Sequence, residues 1–109
     1  MPTPLQLCQD QYNVISINYA GLMQRCTTAD QQQNIRDLKD AALGNLIDAQ
    51  NRIFDASNDQ IEELLAQGEA AMNAVNGSIA RIDDIVTTLN NITQAVNVAA
   101  SIVALGTPK

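Results

Sequence analysis

The strongest constraint on this chain is a run of mostly apolar residues spaced alternately three and four positions apart. It begins at Ile61, ends at Val103 and keeps its register throughout. Its members are Ile61, Leu65, Gly68, Met72, Val75, Ile79, Ile82, Val86, Leu89, Thr93, Val96, Ala100 and Val103. Such steps place side chains on one face of an α-helix, whereas a half-buried β-strand would alternate at every second residue. The pattern therefore predicts an amphipathic helix over about residues 58–105, with the heptad period of helices that pack as in a coiled coil.

The first half of the chain repeats this spacing in two shorter segments. One predicted helix covers about residues 4–26, where apolar positions recur at steps of three and four without interruption. The other covers about residues 29–55, where two consecutive steps of four depart from strict heptads and extra apolar residues widen the stripe. Each segment is expected to bury one face against other helices.

Capping signals mark the ends of these helices. Thr3, Thr28 and Ser57 are each followed three residues later by a glutamine. At this spacing the hydroxyl and the glutamine side chain satisfy free amides at a helix start. Gly106 followed by Pro108 is typical of a helix end. The sequence thus supplies three predicted starts and one predicted stop.

One segment opposes a continuous third helix. Asn76-Gly77-Ser78 is a turn signal, since glycine can end a helix and serine can cap the next one. The unbroken register across Gly77 favours continuity. If the chain reversed there, the run of apolar residues from Ile61 to Val103, which we call the seam, would not have to keep the same spacing on both sides of the turn. We predict a single all-α domain over residues 1–109: an antiparallel helical bundle with coiled-coil-like heptad packing, with three helices of which the third is very long. The alternative is four helices, if the chain turns near Asn76-Gly77.

Charge is distributed unevenly along the chain. All twelve acids and five of the six bases lie in residues 1–84, and residues 85–108 carry no charged side chain. A solvated helix normally carries charges on its outer face, so we expect other helices to enclose this stretch on most sides. The net charge of −6 excludes nucleic acid as a direct electrostatic partner, because binding phosphates requires a basic face.

No recognisable catalytic chemistry is present in the sequence. The chain has no histidine, which excludes histidine-dependent nucleophiles and histidine metal sites. The glycines are dispersed and form no phosphate-binding loop. We therefore predict that the protein is not an enzyme and has no catalytic residue, no cofactor and no metal site.

The cysteines and the N-terminal segment bear on the compartment. Cys8 and Cys26 lie eighteen positions apart on one predicted helix, about 27 Å, which is too far for a disulfide between them. The N-terminal segment lacks the basic and apolar stretches of a secretion signal. These features predict a cytoplasmic protein with reduced thiols. A disulfide with another chain is the alternative for either cysteine.

We expect a small interaction or structural protein that acts through self-assembly or partner binding, such as an adaptor, a chaperone or a neutralising partner. A homo-oligomer built along the third helix is the favoured form. The predicted interaction surface consists of Ile85, Leu89, Ile92, Val96, Ile102 and Val103, and the alternative is that these six residues are simply core.

Two other classes of function stay open. The first is a membrane-active or pore-forming protein that uses the uncharged segment 85–108, although Asn90, Asn91 and Gln94 would be costly in hydrocarbon, so we do not expect a membrane partner. The second is a bundle that binds a small molecule in a cavity beside Tyr12 and Tyr19, which lie one heptad apart.

Overall fold

The computed structural model describes residues 2–109 and shows an all-α protein, which confirms the predicted fold class. Within these residues the helices are α1 (Pro4–Ile17), α2 (Tyr19–Arg25), α3 (Ala29–Gln50), α4 (Asp59–Ala80) and α5 (Ile85–Val103). Two short strands, β1 (Arg52–Ile53) and β2 (Thr107–Pro108), form an antiparallel pair. The molecule is elongated, with extents of 43 × 22 × 18 Å.

The first two predicted helix starts are confirmed. The Gln6 amide donates to Thr3 Oγ1 at 3.1 Å, and the Thr3 amide donates to Gln6 Oε1 at 2.9 Å, so both halves of the capping box form. At α3 the Gln31 amide donates to Thr28 Oγ1 at 3.1 Å. The Gln31 side chain accepts instead from the amide of Thr27, at 2.8 Å, so this second box is only half formed.

The third start differs from the prediction by one residue. Asn58, and not Ser57, caps α4, and its Oδ1 accepts from the amides of Gln60 at 2.9 Å and Ile61 at 3.2 Å. Ser57 lies in the preceding turn, where its amide and hydroxyl both donate to Asp55 Oδ1. Asn58 thus satisfies two free amides of the first turn, while the Ser57 hydroxyl is bonded to Asp55 and is not available as a cap.

The first predicted helix is interrupted at Asn18. Asn18 Nδ2 donates to the Val14 carbonyl at 2.8 Å, which competes with the longer backbone bond that the Asn18 amide makes to the same oxygen at 3.2 Å. Such local side-chain bonds loosen a helix. The interruption is small, because Ile15 before it and Leu22 after it are both buried in the same core.

The second predicted helix ends at Gln50 instead of continuing to residue 55. Asn51 Nδ2 donates to the Ile47 carbonyl at 2.9 Å, and the chain then becomes extended to form β1. The paired strand β2 follows Gly106, where an added Cβ would lie 2.7 Å from the Phe54 ring. Glycine at position 106 therefore allows the close approach of the two segments, in addition to following the last helix as predicted.

The prediction of a continuous third helix is wrong, because the chain reverses between Ala80 and Ile85. The alternative position for a turn is wrong as well, since Asn76 and Gly77 lie inside α4. The turn occupies residues 81–84 and contains no glycine or proline. The protein therefore has four long helical segments, the first of which is divided into α1 and α2.

A Schellman-type motif ends α4. The Ile82 amide donates to the Ile79 carbonyl at 3.2 Å, and the Asp83 amide donates to the Ser78 carbonyl at 2.9 Å. This motif requires one residue in the left-handed region, which is usually glycine. Here that residue is Ile82, with φ of 54°, a strained conformation for a β-branched side chain.

The seam that predicted continuity does not stay in the core through the turn. Ile82 and Val86 occupy seam positions but are 75% and 55% exposed. After the turn the buried stripe also includes Ile85, Ile92 and Ala99, which are seven positions apart and lie beside the seam rather than in it. The unbroken spacing was therefore no sign of a continuous helix.

Two antiparallel hairpins, one of α1 and α2 with α3 and one of α4 with α5, pack side by side. Asn45 Nδ2 donates to the Val96 carbonyl at 3.2 Å and Arg52 Nη1 to the Val103 carbonyl at 2.7 Å, so α3 and α5 run in the same direction. The helices α1 and α4 are also parallel, since Leu7 contacts Gly68 and, four positions further along each helix, Gln11 contacts Met72. Residues 51–58 thus cross the base of the bundle, the end at which α1 and α4 begin.

An aliphatic core fills the space between these helices. Ile15, Ile35 and Ile92 are at most 2% exposed and belong to one cluster that spans α1, α3 and α5. The amide of Gln11 lies in the same interior, 1% exposed, with a long contact of 3.9 Å from Nε2 to the Met72 sulfur. Its Oε1 has no hydrogen-bond partner, which is destabilising for a buried carbonyl.

Candidate functional site

The residues of the predicted interaction surface lie inside the protein. Ile102 is 0% exposed, Ile92 is 2% exposed, and Ile85, Leu89, Val96 and Val103 are likewise buried. They pack against α4, α3 and α1 within one chain. The folded monomer therefore does not offer these six side chains to a partner, and any binding surface must use other residues.

The opposite side of α5 is exposed and uncharged, so the expected enclosure by other helices is incomplete. We call this surface the α5 face and define it by Asn90, Gln94, Asn97 and Ser101, all exposed and spaced by steps of four, three and four. A shallow groove of about 370 Å³ runs along it, with Leu64 and Gln67 of α4 at its edge and no charged residue in its lining.

The amide groups of the α5 face are free to bind. Within residues 2–109 the side chains of Asn90, Gln94 and Asn97 make no hydrogen bond, while the Ser101 hydroxyl donates to the Asn97 carbonyl at 3.1 Å. Each free amide offers two donors and one acceptor oxygen. The regular spacing of these polar residues was the sequence signal that could have identified this surface.

A second feature lies beside Tyr12 and Tyr19, where the small-molecule hypothesis predicts a cavity. The structure has an open depression of about 300 Å³, lined by both tyrosines and by Arg36, Lys39, Asp40 and Leu43 of α3. Lys39 Nζ lies 4.5 Å from the centre of the Tyr19 ring, a cation–π distance. The two basic residues are neighbours of the tyrosines because α1 and α2 pack antiparallel to α3 in a register that the sequence did not predict.

A third feature is a cleft of about 470 Å³ at the base of the bundle. Apolar side chains of Leu5, Phe54, Ile61 and Leu65 form much of its wall. Its charged residues are Arg52, Asp55, Glu62 and Lys109, two of each sign. Asp55 stays ionised, since hydrogen bonds from the Ser57 hydroxyl and amide lower the pKa of its carboxyl group. This balance of charge selects neither an anion nor a cation.

Both thiols are free in the structure. Cys8 is 1% exposed, and burial, followed by the charge of Asp48, raises its pKa to about 11. Cys26 is half-buried, donates to the Leu22 carbonyl at 3.3 Å and has a pKa raised mainly by burial. Neither is an activated nucleophile, because the reactive form of cysteine is the thiolate. Cys8 cannot reach another chain unless the fold opens.

Residues 2–109 contain no group of three or more cysteine or acidic side chains placed to hold a metal ion. Among the helices of this same range, none combines the length and the apolar character needed to cross a membrane.

No protein-family model, curated protein or solved structure matches this chain. The function is therefore inferred from the chain's own surfaces, of which the α5 face and the tyrosine depression are the most distinctive.

Proposed function

We propose that this protein is a small, non-enzymatic cytoplasmic interaction protein that associates with itself, and that the α5 face of one copy meets the α5 face of a second. The observation that carries the proposal is a solvent-exposed helix face with no charged side chain in a strongly acidic protein. An adaptor, a chaperone or a neutralising partner would each use such an assembly.

Electrostatics favours this face over the other surfaces. Two copies with a net charge of −6 each repel one another at long range. Contacts through the outer face of α3 would bring Asp37, Asp40 and Asp48 toward the second copy and remove water from them, which is costly for unpaired carboxylates. Because the α5 face has only amides, hydroxyls and small apolar groups, two copies can meet there without burying a charge.

The side chains of the α5 face are complementary to themselves in an antiparallel arrangement. With a two-fold axis between positions 95 and 96, Gln94 of one copy lies opposite Asn97 of the other, and Asn90 lies opposite Ser101. Amides donate and accept at the same time, so every such pair can form hydrogen bonds in both copies. The exposed Val86 would then lie near the small residue Ala104 at each end.

The size of the face sets the expected strength. The 19 residues of α5 extend about 28 Å, so one helix face about 10 Å wide gives roughly 300 Å² per copy, to which the edge of α4 adds. With both copies counted, this is roughly 600 Å², which is below the standard size of specific interfaces. We therefore expect a weak, reversible dimer with a dissociation constant of roughly hundreds of micromolar.

Light scattering or sedimentation equilibrium over a wide range of concentration, with reductant present, tests the proposal. The informative variant is Gln94→Lys, and the matched control is Gln9→Lys on the exposed side of α1. Each adds one positive charge and so reduces the overall repulsion by the same amount. We expect Gln94→Lys to weaken the dimer by about tenfold, because two lysines meet near the axis, and Gln9→Lys to leave it unchanged or slightly tighter.

A rescue variant tests the antiparallel pairing itself. In the double variant Gln94→Lys with Asn97→Glu, each new ammonium group lies opposite a carboxylate of the second copy, so the dimer that Gln94→Lys weakens is expected to form again. A wild type that stays monomeric at about millimolar concentration would overturn the proposal. Equal behaviour of Gln94→Lys and Gln9→Lys would show that the copies meet elsewhere.

A further inference from the structure

The depression between α1, α2 and α3 points to a binding site that is separate from the α5 face. Its lining comprises Tyr12, Tyr19, Arg36, Lys39, Asp40 and Leu43. No residue of α5 takes part, so this site is independent of self-association. We propose that it binds a small aromatic oxyanion, a molecule with one ring and one phosphate or carboxylate group.

Two cations without carboxylate partners carry the anion part of the argument. Arg36 and Lys39 lie three positions apart, one helical turn, and within residues 2–109 neither forms an ion pair with an acid, although Asp40 is nearby. Only six bases exist in the chain against twelve acids, and two of them lie at this depression. The pair therefore makes a local positive site in an acidic protein, which favours an anion.

The same two side chains are held in defined positions before any ligand arrives. Arg36 donates through Nε and Nη2 to Gln33 Oε1 at 3.3 and 3.2 Å, and its Nη1 makes no hydrogen bond within the described range. Lys39 is held over the Tyr19 ring at 4.5 Å. The Nη1 of Arg36 and the ammonium group of Lys39 can each donate a charge-assisted hydrogen bond to an oxygen of a phosphate or carboxylate.

The tyrosines and Leu43 account for the ring. Tyr12 and Tyr19 are half-buried, and the hydroxyl of neither makes a hydrogen bond within residues 2–109, so both can donate to an oxyanion. Tyr12 and Leu43 supply the apolar part of the lining, against which a planar ring can pack. A volume of about 300 Å³ is enough for one ring with its head group.

A titration of the full-length protein followed by amide chemical shifts tests the site. The probes are phenyl phosphate, benzoate and inorganic phosphate. We expect saturable shifts confined to residues 12–19 and 36–43 with phenyl phosphate or benzoate, and binding about tenfold weaker with inorganic phosphate. The stronger of the two aromatic probes then identifies the head group. Equal binding of inorganic phosphate and phenyl phosphate would overturn the assignment of the ring.

Charge-matched variants test the residues. The double variant Arg36→Gln with Lys39→Gln should weaken phenyl phosphate binding by at least about tenfold. The control Arg25→Gln with Lys109→Gln removes the same two charges outside the depression and should leave binding within about twofold of the wild type. Tyr12→Phe, which keeps the ring and removes the hydroxyl, should give a loss of a few-fold.

Three results would overturn the proposal. One is no saturable shift at about 10 mM of either aromatic probe. Another is binding that the double variant leaves intact, and the last is a set of shifts centred on the cleft at the base. The spectrum of each variant reports its fold directly, and all substituted side chains are exposed or half-buried, so loss of binding is distinguished from unfolding.

Discussion

The helices α3 and α5 lie side by side and run in the same direction, yet they present opposite kinds of surface to water. The outer side of α3 carries aspartates at positions 30, 37, 40 and 48 and Arg36, whereas α5 carries no charge at all. Inside, α3 buries five residues over 22 positions, and α5 buries nine over 19. The helix that contributes most to the core is thus the one whose outside is least costly to dehydrate.

This difference indicates a division of roles. The α3 surface keeps its charges in water and so favours solubility. Two of its basic residues, Arg36 and Lys39, are the cations of the tyrosine depression. By contrast, one side of α5 is buried in the core, and a second copy can cover the other side without removing water from a charged group. The following substitutions test how far that contrast holds.

Removal of a buried side chain from α5 should have the largest effect. Ile92→Ala is expected to lower the free energy of unfolding by about 2–5 kcal/mol, because Ile92 is 2% exposed and a cavity would remain. Ile47→Ala on α3, at 47% exposure, should cost less than about 1 kcal/mol. Urea denaturation of both variants measures the two values.

The Ile92→Ala variant also tests which side of α5 forms the interface between two copies. If Ile92→Ala left the unfolding free energy unchanged and abolished self-association, Ile92 would be a surface residue and the inner side of α5 the true interface. That result would reverse the assignment of core and face.

The sequence predicted the helices well because their signals are local. The caps at Thr3 and Thr28 depend on neighbouring residues alone, and α1 and α3 begin where these caps predict. The turn at residues 81–84 was missed because Ile82 takes a left-handed conformation that normally requires glycine, so no punctuation marks it. Asp84, placed just before a charge-free segment, was the available signal, since aspartate is a strong N-cap.

The surfaces were predicted less well because they depend on how helices pack. The spacing of an apolar residue in a seam is the same whether the residue faces its own core or another chain, so Leu89 and Val96 were assigned to an interface. The proximity of Arg36 and Lys39 to the tyrosines follows from the antiparallel pairing of α2 with α3. Such contacts between distant parts of the chain have no local sequence signature.

The hydrogen bond that joins the two parallel helices should have the next largest effect. Asn45→Ala removes the bond from Asn45 Nδ2 to the Val96 carbonyl. Because Asn45 is only 8% exposed, the loss should lower the free energy of unfolding by about 1–2 kcal/mol. Thermal or urea unfolding provides the measurement. Asn34→Ala, at an exposed position of the same helix, controls for the better helix propensity of alanine and should be neutral or slightly stabilising. Equal effects of the two variants would show that α3 and α5 are not joined through Asn45.

The turn that leads into α5 should respond in the opposite direction. Ile82→Gly is expected to raise the free energy of unfolding by about 1 kcal/mol, because glycine tolerates φ of 54° and little apolar contact is lost at 75% exposure. Ile17→Gly, within α1 and 82% exposed, should lower it by about 1 kcal/mol. Denaturant midpoints compare the two. A loss of stability in both variants would mean that Ile82 contributes packing that outweighs its strain.

The smallest effect concerns the N-cap residues of the two helices. Thr28 caps α3 with a hydroxyl group, whereas Asp84 caps α5 with a carboxylate. Asp84 Oδ1 accepts from the Thr87 amide at 2.8 Å and Oδ2 from the Thr87 hydroxyl at 3.0 Å, and these bonds lower the pKa of the Asp84 carboxyl group. The resulting stabilisation is present above the ordinary pKa of the unfolded chain, about 3.9, and is lost as the pH falls through the lower folded value. Asp84→Asn keeps a capping oxygen without the charge.

The stability difference between wild type and Asp84→Asn should therefore be greatest near pH 6 and shrink below about pH 4. Thr28→Ala, at the uncharged cap of α3, should lower stability by an amount that does not change with pH over the same interval, because no titrating group is removed. Urea unfolding at several pH values between about 2.5 and 6 separates the two behaviours. A difference for Asp84→Asn that stays constant with pH would show that the carboxylate acts only as a hydrogen-bond acceptor. The start of α5 would then be equivalent to that of α3, and the contrast between the helices would be confined to their outer faces.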